Sequence, residues 1–408
     1  MEKKPSVVMM GLGYIGLPTA ALIASRGMQV TGVDISKNVV ETINKGRIHI
    51  VEPDLDGLVH HVVKNGYLKA TDASVVADVY LIAVPTPFKE NNIPDLTFVM
   101  SATQNIIPTL RPGALVILES TSPVGTTREM QKLIFRERPE LEGHIYIAYC
   151  PERVLPGNII YELEHNDRAI GGLDKASTEK AVAFYKYFVK GELHKTNSRT
   201  AEMCKLVENS SRDVQIAFAN ELSMICDKAD INVWELIHLA NKHPRVNILQ
   251  PGTGVGGHCI AVDPWFIVSE FPREARIIRT SREINNYKTE WAIEKVKNCA
   301  LEFKIENNRD AVIACMGLAF KPNIDDLRES PALTVAEKIS SDGFSVLRVE
   351  PNLNIDGKYK LTAVNEALDK ADIIVFLVAH NEFKELNIDP SKQIIDFVGL
   401  EGHLKGSN

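Results

Sequence analysis

A cysteine with unusual neighbours offers the clearest chemistry in this sequence. Cys259 ends the glycine-rich segment 254–259, follows His258 directly and precedes Asp263 by four residues. Glycines let backbone approach a ligand closely, and a neighbouring imidazole can favour the thiolate. Such a thiol can add to a carbonyl carbon, the step that converts an aldehyde to an acid. The alternative is that Cys259 only fills space, as most cysteines without a partner do.

A second pattern, at the start of the sequence, is typical of dinucleotide binding. The apolar run 7–10 predicts a strand, the glycine loop 11–16 follows it, and 17–26 has a helical pattern before a second strand at 30–33. This order of strand, loop, helix and strand is the setting that the GxGxxG fingerprint requires. The segment therefore predicts a dinucleotide site.

The residues of that loop indicate which dinucleotide binds. Gly11 makes the tight turn, Gly13 admits the diphosphate and Gly16 lets the helix and strand pack closely. The amides and dipole at the helix N-terminus favour the phosphates. Asp34, 18 residues past Gly16, is spaced to bind the adenosine ribose and would repel a 2′-phosphate. NAD is therefore expected rather than NADP.

The composition is that of a cytoplasmic enzyme with several domains. A chain of 408 residues is too long for one compact core, which predicts two or three domains. The net charge of −7 argues against a nucleic-acid partner. The six cysteines are scattered without a CxxC pair, which argues against a disulfide framework or a metal site. The first strand begins too early for a signal peptide, and no apolar run reaches transmembrane length, so no membrane partner is expected.

Strand and helix patterns divide the sequence into three parts. We expect a doubly wound α/β domain at 1–197, a helical middle with a long connecting helix at 198–300, and a second Rossmann-like α/β domain at 301–408. The dinucleotide pattern recurs at 316–319, but Phe320 breaks it, so the last domain is expected to bind another ligand. The expected strands are 7–10, 30–33, 80–84, 114–118, 145–149, 311–316, 344–349 and 372–378, and the expected helices after residue 198 are 200–229, shorter ones to about 298, 331–341 and 362–370.

Three strands of the first part end in polar residues. Thr86, Thr121 and Glu152 each follow the carboxyl end of a predicted strand. Ligands of open α/β sheets bind beyond those ends. The three residues are therefore expected to outline one cleft.

Polar side chains on the long helix form another candidate group. Lys205, Asn209 and Arg212 lie at i, i+4 and i+7, on one helix face. Apolar flanks would bury much of this helix, so these groups need partners. Either they form salt bridges, or Lys205 and Asn209 reach a reacting hydroxyl or oxyanion while Arg212 holds a polar or anionic group.

Two further segments carry cations suited to a phosphate or sugar. Arg245 lies in 243–247, just before the cysteine loop, and Lys321 and Arg328 lie in 319–331, between a strand and a helix. A solvated charged loop is the alternative interpretation of each segment.

Seven motifs together resemble the UDP-glucose/GDP-mannose dehydrogenase family over nearly the whole chain. Within it the chain most resembles the branch that oxidises UDP-N-acetyl-D-mannosamine for enterobacterial common antigen and related surface polysaccharides. UDP-glucose enzymes typically have Pro-Lys-Asp where this chain has 261–263, Ala-Val-Asp, and His258 replaces an aromatic or small residue. The motifs are GLGYIGLP at 11–18, VPTP at 84–87, STSPVG at 120–125, CPERVLPG at 150–157, AEMCKLVEN at 201–209, GVGGHC at 254–259 and FKPNIDDLRES at 320–330.

The resemblance implies a homodimer that transfers two hydrides from the sugar C6 to two NAD molecules without releasing the aldehyde. It implies catalytic roles for six residues: Cys259 as nucleophile, Lys205 and Asn209 at the C6 oxygen, Asp263 and Glu152 with the hydrolytic water, and Thr121 beside the nicotinamide. It adds to the loop glycines the NAD positions Tyr14, Ile15, Asp34, Thr86, Thr127 and Arg328. The implied substrate positions are Arg153, Val154, Lys205, Asn209, Arg212, His243, Arg245 (serving the neighbouring subunit), Gly256, Phe320 and Lys321.

Other functions stay open at this stage. The same reaction on UDP-N-acetylglucosamine, the C2 epimer, or on UDP-glucose depends on a pocket shape that the sequence does not report directly. A regulator that binds without catalysis would be expected to lack Cys259, Lys205 or Asn209, and all three are present. A one-step 3-hydroxyacid dehydrogenase shares the fingerprint but needs no cysteine.

Overall fold

A computed structural model describes residues 4–154, 157–353, 357 and 359–400 of the chain. Residues 155 and 156 of the CPERVLPG motif lie outside this set. The chain divides into two compact units, Met1–Glu208 and Asn209–Asn408. Among the described residues, no helix is both long and apolar enough to cross a membrane.

The first unit is built on an eight-stranded sheet with the order β3-β2-β1-β4-β5-β6-β7-β8. The first six strands along the chain pair in parallel, so their carboxyl ends share one edge of the sheet. The chain order reverses between β1 and β4, the point at which open α/β sheets bind ligands. The strands are β1 (Val7–Met10), β2 (Val30–Val33), β3 (Leu68–Thr71), β4 (Val79–Ile82), β5 (Leu115–Leu118), β6 (Tyr146–Tyr149), β7 (Arg168–Gly172) and β8 (Leu193–Asn197).

Helices cover both faces of this sheet. Val7 and Met9 lie in one apolar cluster and Val8 and Met10 in another, because successive side chains of a strand point to opposite faces. A strand that is buried on both faces reads as a continuous apolar run. The helices are α1 (Gly16–Ser25), α2 (Lys37–Asn44), α3 (Leu55–Lys64), α4 (Thr97–Ile106), α5 (Thr126–Glu137), α6 (Ile159–His165) and α7 (Lys175–Tyr185).

The predicted long helix is confirmed as α8 (Ser198–Lys228), which begins in the first unit and ends in the second. The short helices α9 (Val233–Ala240) and α10 (Asp263–Glu270) follow it. The expectation of only short helices to about residue 298 is wrong, because α11 runs for 32 residues, Arg276–Asn307. The predicted domain boundary at residue 300 lies within this helix.

Buried polar residues explain why the length of α11 escaped the sequence pattern. Its inward stripe includes Arg282, Asn285 and Lys288, which interrupt the apolar period expected of a packed helix. Arg282 Nη1 lies 2.7 Å from Asp213 Oδ1, and Lys288 Nζ donates to Ser223 Oγ at 2.8 Å. These paired groups fix the register of α8 against α11 within the second unit, since a buried polar group without a partner is costly.

The second unit ends in a four-stranded parallel sheet with the order β10-β9-β11-β12. Three of its strands confirm the sequence prediction to within two residues, whereas β12 was not predicted. Two apolar clusters lie on the two faces of the sheet. The fold is therefore α/β, with two Rossmann-like sheets and a helical middle region, as expected. The elements are β9 (Val312–Met316), α12 (Pro331–Ser341), β10 (Ser345–Val349), α13 (Val364–Lys370), β11 (Ile373–Phe376) and β12 (Gln393–Asp396).

Replacing the buried Lys288 by methionine tests whether burial in α11 lowers the pKa of this lysine. Burial, followed by the Lys295 cation, lowers the pKa of Lys288 to about 7. Between pH 7 and its ordinary pKa of about 10.4, the unfolded chain binds a proton at this site that the folded chain has released. The free energy of unfolding should therefore rise with pH across that interval, with a slope of up to about 1.4 kcal/mol per pH unit.

In Lys288→Met this slope should disappear, and unfolding followed by the fluorescence of Trp291, whose ring centre lies 3.8 Å from Lys288 Nζ, measures it. The exposed Lys45→Met is the control. A slope that persists unchanged in Lys288→Met would show that Lys288 is not the group that releases a proton on folding.

Candidate active site

The glycines of the loop after β1 have distinct steric surroundings. Gly11 has a φ of +90°, and a Cβ placed there would lie 2.5 Å from the Ala83 carbonyl oxygen. A Cβ on Gly16 would overlap the carbonyl oxygen of Gly11. A Cβ on Gly13 would meet no atom within 4 Å. The loop thus packs tightly on its inner side and leaves open space above Gly13, the feature that a bound diphosphate requires.

The surroundings of this loop also fit NAD. Helix α1 begins after Ile15 without a side-chain cap, and its Leu17 amide donates to the Gly13 carbonyl oxygen at 3.1 Å. Asp34, at the end of β2, accepts a hydrogen bond from the Leu12 amide at 3.0 Å and remains half-buried. Tyr14 is 46% exposed beside this loop.

The loops that follow β4 and β5 are joined by hydrogen bonds. Thr86 Oγ1 donates to the Thr121 carbonyl oxygen at 2.7 Å, and Ser120 Oγ accepts from the Val84 amide at 2.9 Å. The structure thus brings together two of the three residues that were expected to outline a cleft. Ser120 links the two loops by a hydrogen bond and was not among the predicted site residues.

Glu202 of α8 anchors the loop after β5. Its carboxylate accepts hydrogen bonds from the Gly125 amide at 2.6 Å, from the Thr127 amide at 2.8 Å and from the Thr127 hydroxyl at 2.6 Å. Burial raises the pKa of Glu202, and these hydrogen bonds oppose that rise. Thr127 is fully buried, and its hydroxyl donates to Glu202. Glu202 was not among the predicted site residues.

Glu152 lies in a buried ion pair. Its Oε2 is 3.1 Å from Arg168 Nη1, and its Oε1 accepts from the Arg153 amide at 2.6 Å. Arg168 also donates to the Leu163 carbonyl oxygen at 3.0 Å. The Arg168 cation and the Arg153 amide thus fix the orientation of the Glu152 carboxylate.

A second buried carboxyl, Glu119, lies at the end of β5. Tyr185 donates to it at 2.6 Å, and burial raises its pKa to about 7, opposed by the Arg168 cation. Burial likewise raises the pKa of the nearby Cys150 to about 12. Cys150 is therefore a neutral thiol and is excluded as a nucleophile.

The predicted cations of the first unit and of α8 are held in different ways. Arg153 Nη2 lies 2.8 Å from Glu208 Oε1, so its guanidinium is already paired, and Val154 beside it is half-buried. Lys205 is half-buried. Arg212, seven residues further along α8 and already in the second unit, is exposed. Within the described ranges neither forms an ion pair, which leaves the salt-bridge alternative unsupported for both.

Cys259 lies at the entrance to α10 in the second unit. The residue is exposed, and its carbonyl oxygen accepts from the Asp263 amide at 2.8 Å, which closes the turn. Asp263 begins α10 and is 3% exposed, and Asn209 Nδ2 donates to its Oδ2 at 2.5 Å. The turn thus presents a thiol to solvent beside a buried carboxylate fixed by an amide from α8.

The environment of His258 bears on the expectation that its imidazole favours the thiolate. Burial lowers the pKa of His258, and the Arg328 cation lowers it further, whereas Asp326 and Glu329 raise it. A lower pKa makes the positive imidazolium harder to form, which weakens the charge that His258 can offer to a thiolate at Cys259.

The cysteine loop packs on the loop that follows β9. A Cβ on Gly256 would overlap the Glu329 carbonyl oxygen, and one on Gly257 would lie 2.9 Å from the Phe320 ring. The Gly257 amide donates to the Arg328 carbonyl oxygen at 3.1 Å. Close packing therefore requires the glycines and places Gly256, Phe320 and the cysteine turn together.

The remaining predicted cations are exposed. Arg328 pairs with Asp326 at 2.6 Å, and Lys321 projects from the same loop. His243 and Arg245 lie in an exposed turn, in which the Arg245 amide approaches His243 Nδ1 at 3.3 Å. Among the residues that the structure describes, neither side chain of this turn bonds to the cysteine loop.

Comparisons with known proteins match the whole length of this architecture. Profiles of the UDP-glucose/GDP-mannose dehydrogenase family match its NAD binding domain at residues 5–189, its central domain at 199–287 and its UDP binding domain at 314–398. The chain thus carries the NAD-binding domain that the glycine loop predicted.

Three relatives illustrate the similarity. A UDP-N-acetyl-D-mannosamine dehydrogenase of Campylobacter jejuni is 56% identical over 95% of this chain and 98% of its own. An NDP-N-acetyl-D-galactosaminuronic acid dehydrogenase of Ralstonia nicotianae is 52% identical over 97% of this chain and 96% of its own. The solved structure of a UDP-D-ManNAc dehydrogenase from Pyrococcus horikoshii has a TM-score of 0.87 at 39% identity and covers 97% of this chain and 96% of that one.

The Gly13→Ala variant tests the glycine loop. Because the space above Gly13 is open, the variant should fold with an unchanged melting temperature, while its methyl group blocks the diphosphate. NAD affinity should fall by about tenfold or more, as measured by titration calorimetry. Gly57→Ala, another glycine with no neighbour within 4 Å of its Cβ, is the matched control. Wild-type NAD affinity in Gly13→Ala would show that the diphosphate binds elsewhere.

Proposed function

Because this chain belongs to the UDP-glucose/GDP-mannose dehydrogenase family, we propose that it oxidises UDP-N-acetyl-D-mannosamine at C6. The product is UDP-N-acetyl-D-mannosaminuronate, a precursor suited to bacterial surface polysaccharides. The observation that carries the proposal is the exposed Cys259, in a turn closed by the buried Asp263. A dehydrogenase that stops at an aldehyde needs no such thiol.

Cys259 gives the reaction its second oxidation. Two NAD molecules, bound in turn, accept the two hydrides that leave C6. After the first transfer, the Cys259 thiolate adds to the C6 aldehyde and forms a thiohemiacetal, whose loss of a hydride and a proton gives a thioester. Water then cleaves the C–S bond, which releases the carboxylate and restores the thiol. The substrate loses four electrons in all.

Lys205 and Asn209 are proposed to act at the C6 oxygen. The Lys205 ammonium, which has no carboxylate partner in the described part of the chain, stabilises negative charge on that oxygen or moves its proton. The Asn209 amide donates to the same oxygen when it is not engaged with Asp263, its partner at 2.5 Å. Both side chains project from one face of α8.

Asp263, Glu152 and Thr121 are proposed to serve hydrolysis and hydride transfer. Asp263 accepts a hydrogen bond from Asn209 and Glu152 is paired with Arg168, and both carboxylates are proposed to orient or activate the hydrolytic water. Thr121 is proposed to lie beside the nicotinamide, with its position fixed by Thr86.

Two sets of residues are proposed to bind the ligands. The NAD set is Gly11, Gly13, Tyr14, Ile15, Gly16, Asp34, Thr86, Thr127 and Arg328. The UDP-sugar set is Arg153, Val154, Lys205, Asn209, Arg212, His243, Arg245, Gly256, Phe320 and Lys321. The paired Arg153 and Arg328 would need to exchange a carboxylate for the ligand.

We further propose that the enzyme is a cytoplasmic homodimer with three functional domains, at 1–197, 198–300 and 301–408. Phe218 and Ile225 of α8 are 58% and 55% exposed and lie at i and i+7, on one helix face. Exposed apolar patches of this kind mark protein interfaces. The exposed turn with His243 and Arg245 is then available to the neighbouring subunit.

A substrate panel tests the proposed reaction. With limiting UDP-N-acetyl-D-mannosamine, two NADH should form per sugar at completion, because both oxidations occur at one carbon. UDP-N-acetylglucosamine, UDP-N-acetylgalactosamine and UDP-glucose should yield little NADH. One NADH per sugar would identify the aldehyde as product, and two NADH from another sugar alone would keep the mechanism and overturn the substrate. No NADH from any sugar would favour the regulator.

The Cys259→Ser variant tests the thiol. A hydroxyl is a much weaker nucleophile than a thiolate, so the variant should bind NAD normally and fail to produce the uronate. Cys299→Ser, on α11 and half-buried, should keep full activity as the matched control. Complete oxidation by Cys259→Ser would exclude covalent catalysis by this residue.

Introducing a charge on α8 tests the proposed dimer. Phe218→Glu places a carboxylate in the proposed apolar interface, which should shift sedimentation of the protein from dimer to monomer. Ile305→Glu, at an 83% exposed position of α11, is the control and should sediment as wild type. A Phe218→Glu variant that remains dimeric would place the interface elsewhere.

A further inference from the structure

A buried glutamate holds the loop that follows β9. Glu350, directly after β10, is 3% exposed, and its Oε2 accepts from the Leu318 amide at 2.8 Å and the Ala319 amide at 2.9 Å. These amides lie just beyond Gly317, the first residue after the strand, where an open α/β sheet binds its ligand. The residues proposed to bind the nucleotide, Phe320 and Lys321, come next.

The same position in the first unit is arranged differently. Asp34, after β2, accepts one amide of its glycine loop, from Leu12, and is half-buried. Glu350 is buried and saturated by protein donors, and although burial raises its pKa, the hydrogen bonds led by His380 lower it to about 2. Its carboxylate is therefore unavailable for a ribose and serves the loop instead.

His380 joins this carboxylate to the far end of the loop. Its Nε2 lies 3.0 Å from Glu350 Oε2, and its Nδ1 accepts from the Asn323 amide at 3.0 Å. A backbone amide can only donate, so Nδ1 carries no proton and Nε2 donates to Glu350. His380 is fully buried. The imidazole thus bridges both ends of the segment 318–323.

A second bond reinforces this bridge. The Asn381 amide donates to Asn323 Oδ1 at 2.9 Å, and Asn323 has a φ of +61°. The segment is therefore fixed at its start by Glu350 and at its end by two neighbouring residues that follow β11. Phe320 and Lys321 lie between the fixed points.

We propose that His380 is a positioning residue for the nucleoside diphosphate of the substrate. Held by Glu350, it fixes the backbone of 318–323 so that Phe320 and Lys321 meet the nucleotide without prior ordering of the loop. This inference rests on the proposed assignment of those two residues to the UDP-sugar. Loops ordered before binding bind more tightly, because less conformational entropy is lost on association.

Binding of UDP to the full-length protein, measured by titration calorimetry, tests this role. His380→Leu removes the acceptor for the Asn323 amide and should weaken UDP binding by about tenfold, with NAD affinity unchanged. His380→Gln should restore most of the affinity, since its amide can accept from Asn323 and donate to Glu350. His144→Leu, at an exposed position of the first unit, is the control.

Asn323→Gly supplies an independent test if His380→Leu lowers the melting temperature. Glycine keeps the positive φ and the amide but removes the bond from Asn381, so UDP binding alone should weaken.

Lys321→Ala separates this inference from the proposed function. Weaker UDP binding in Lys321→Ala, with wild-type binding in His380→Leu and Asn323→Gly, would overturn the inference and keep the substrate assignment. Equal loss of UDP and NAD affinity in the His380 variants would also overturn it, as a general loss of structure. Unchanged UDP binding in Lys321→Ala would overturn the assignment and the inference together.

Discussion

Buried carboxylates that accept backbone amides fix loops beyond the strand ends within each unit. Glu202 binds the amides of Gly125 and Thr127, Glu350 binds those of Leu318 and Ala319, and Glu52 binds those of Gly157 and Ile159. Loops beyond strand ends have no ladder partners, and a buried amide left without an acceptor costs about 1–3 kcal/mol. Each glutamate satisfies two such amides from a distant part of its unit, so the loops are fixed before any ligand binds.

This arrangement sorts the reactive groups by environment. Carboxylates and arginines with structural roles are buried and paired, as in Asp213 with Arg282, whereas Cys259 is exposed on a turn. Burial raises the pKa of Cys150 to about 12 and keeps that thiol neutral. Burial and the Arg328 cation lower the pKa of the neighbouring His258, so exposure on the turn is the feature that distinguishes Cys259 from Cys150. Preorganised groups of this kind stabilise charge without reorganisation during the reaction.

Local sequence patterns were sufficient to predict most of the fold and part of the candidate site. Periodicity and apolar runs predicted α8 and eight of the twelve described strands, and the glycine spacing predicted the loop after β1, because these signals depend on near neighbours. The strands β3, β7, β8 and β12 were not predicted. Glu202 and Glu350 were not identified because the loops that they hold lie 30 or more residues away in sequence, as Leu318 does from Glu350 at a separation of 32. Arg168, whose partner Glu152 is 16 residues away, was not identified because arginines are mostly exposed. The length of α11 escaped because its buried stripe is polar. Side-chain pairing such as Arg153 with Glu208 is equally invisible to spacing.

The most direct measurement is the mass of the Cys259 peptide in wild-type protein quenched with acid during turnover on UDP-N-acetyl-D-mannosamine and NAD. We predict a transient increase in the mass of this peptide, equal to the UDP-sugar acyl group. The increase should be confined to that peptide and should disappear when NADH formation ends. Conversion to the uronate with the Cys259 peptide unmodified at every time point would contradict covalent catalysis and the role assigned to the exposed turn.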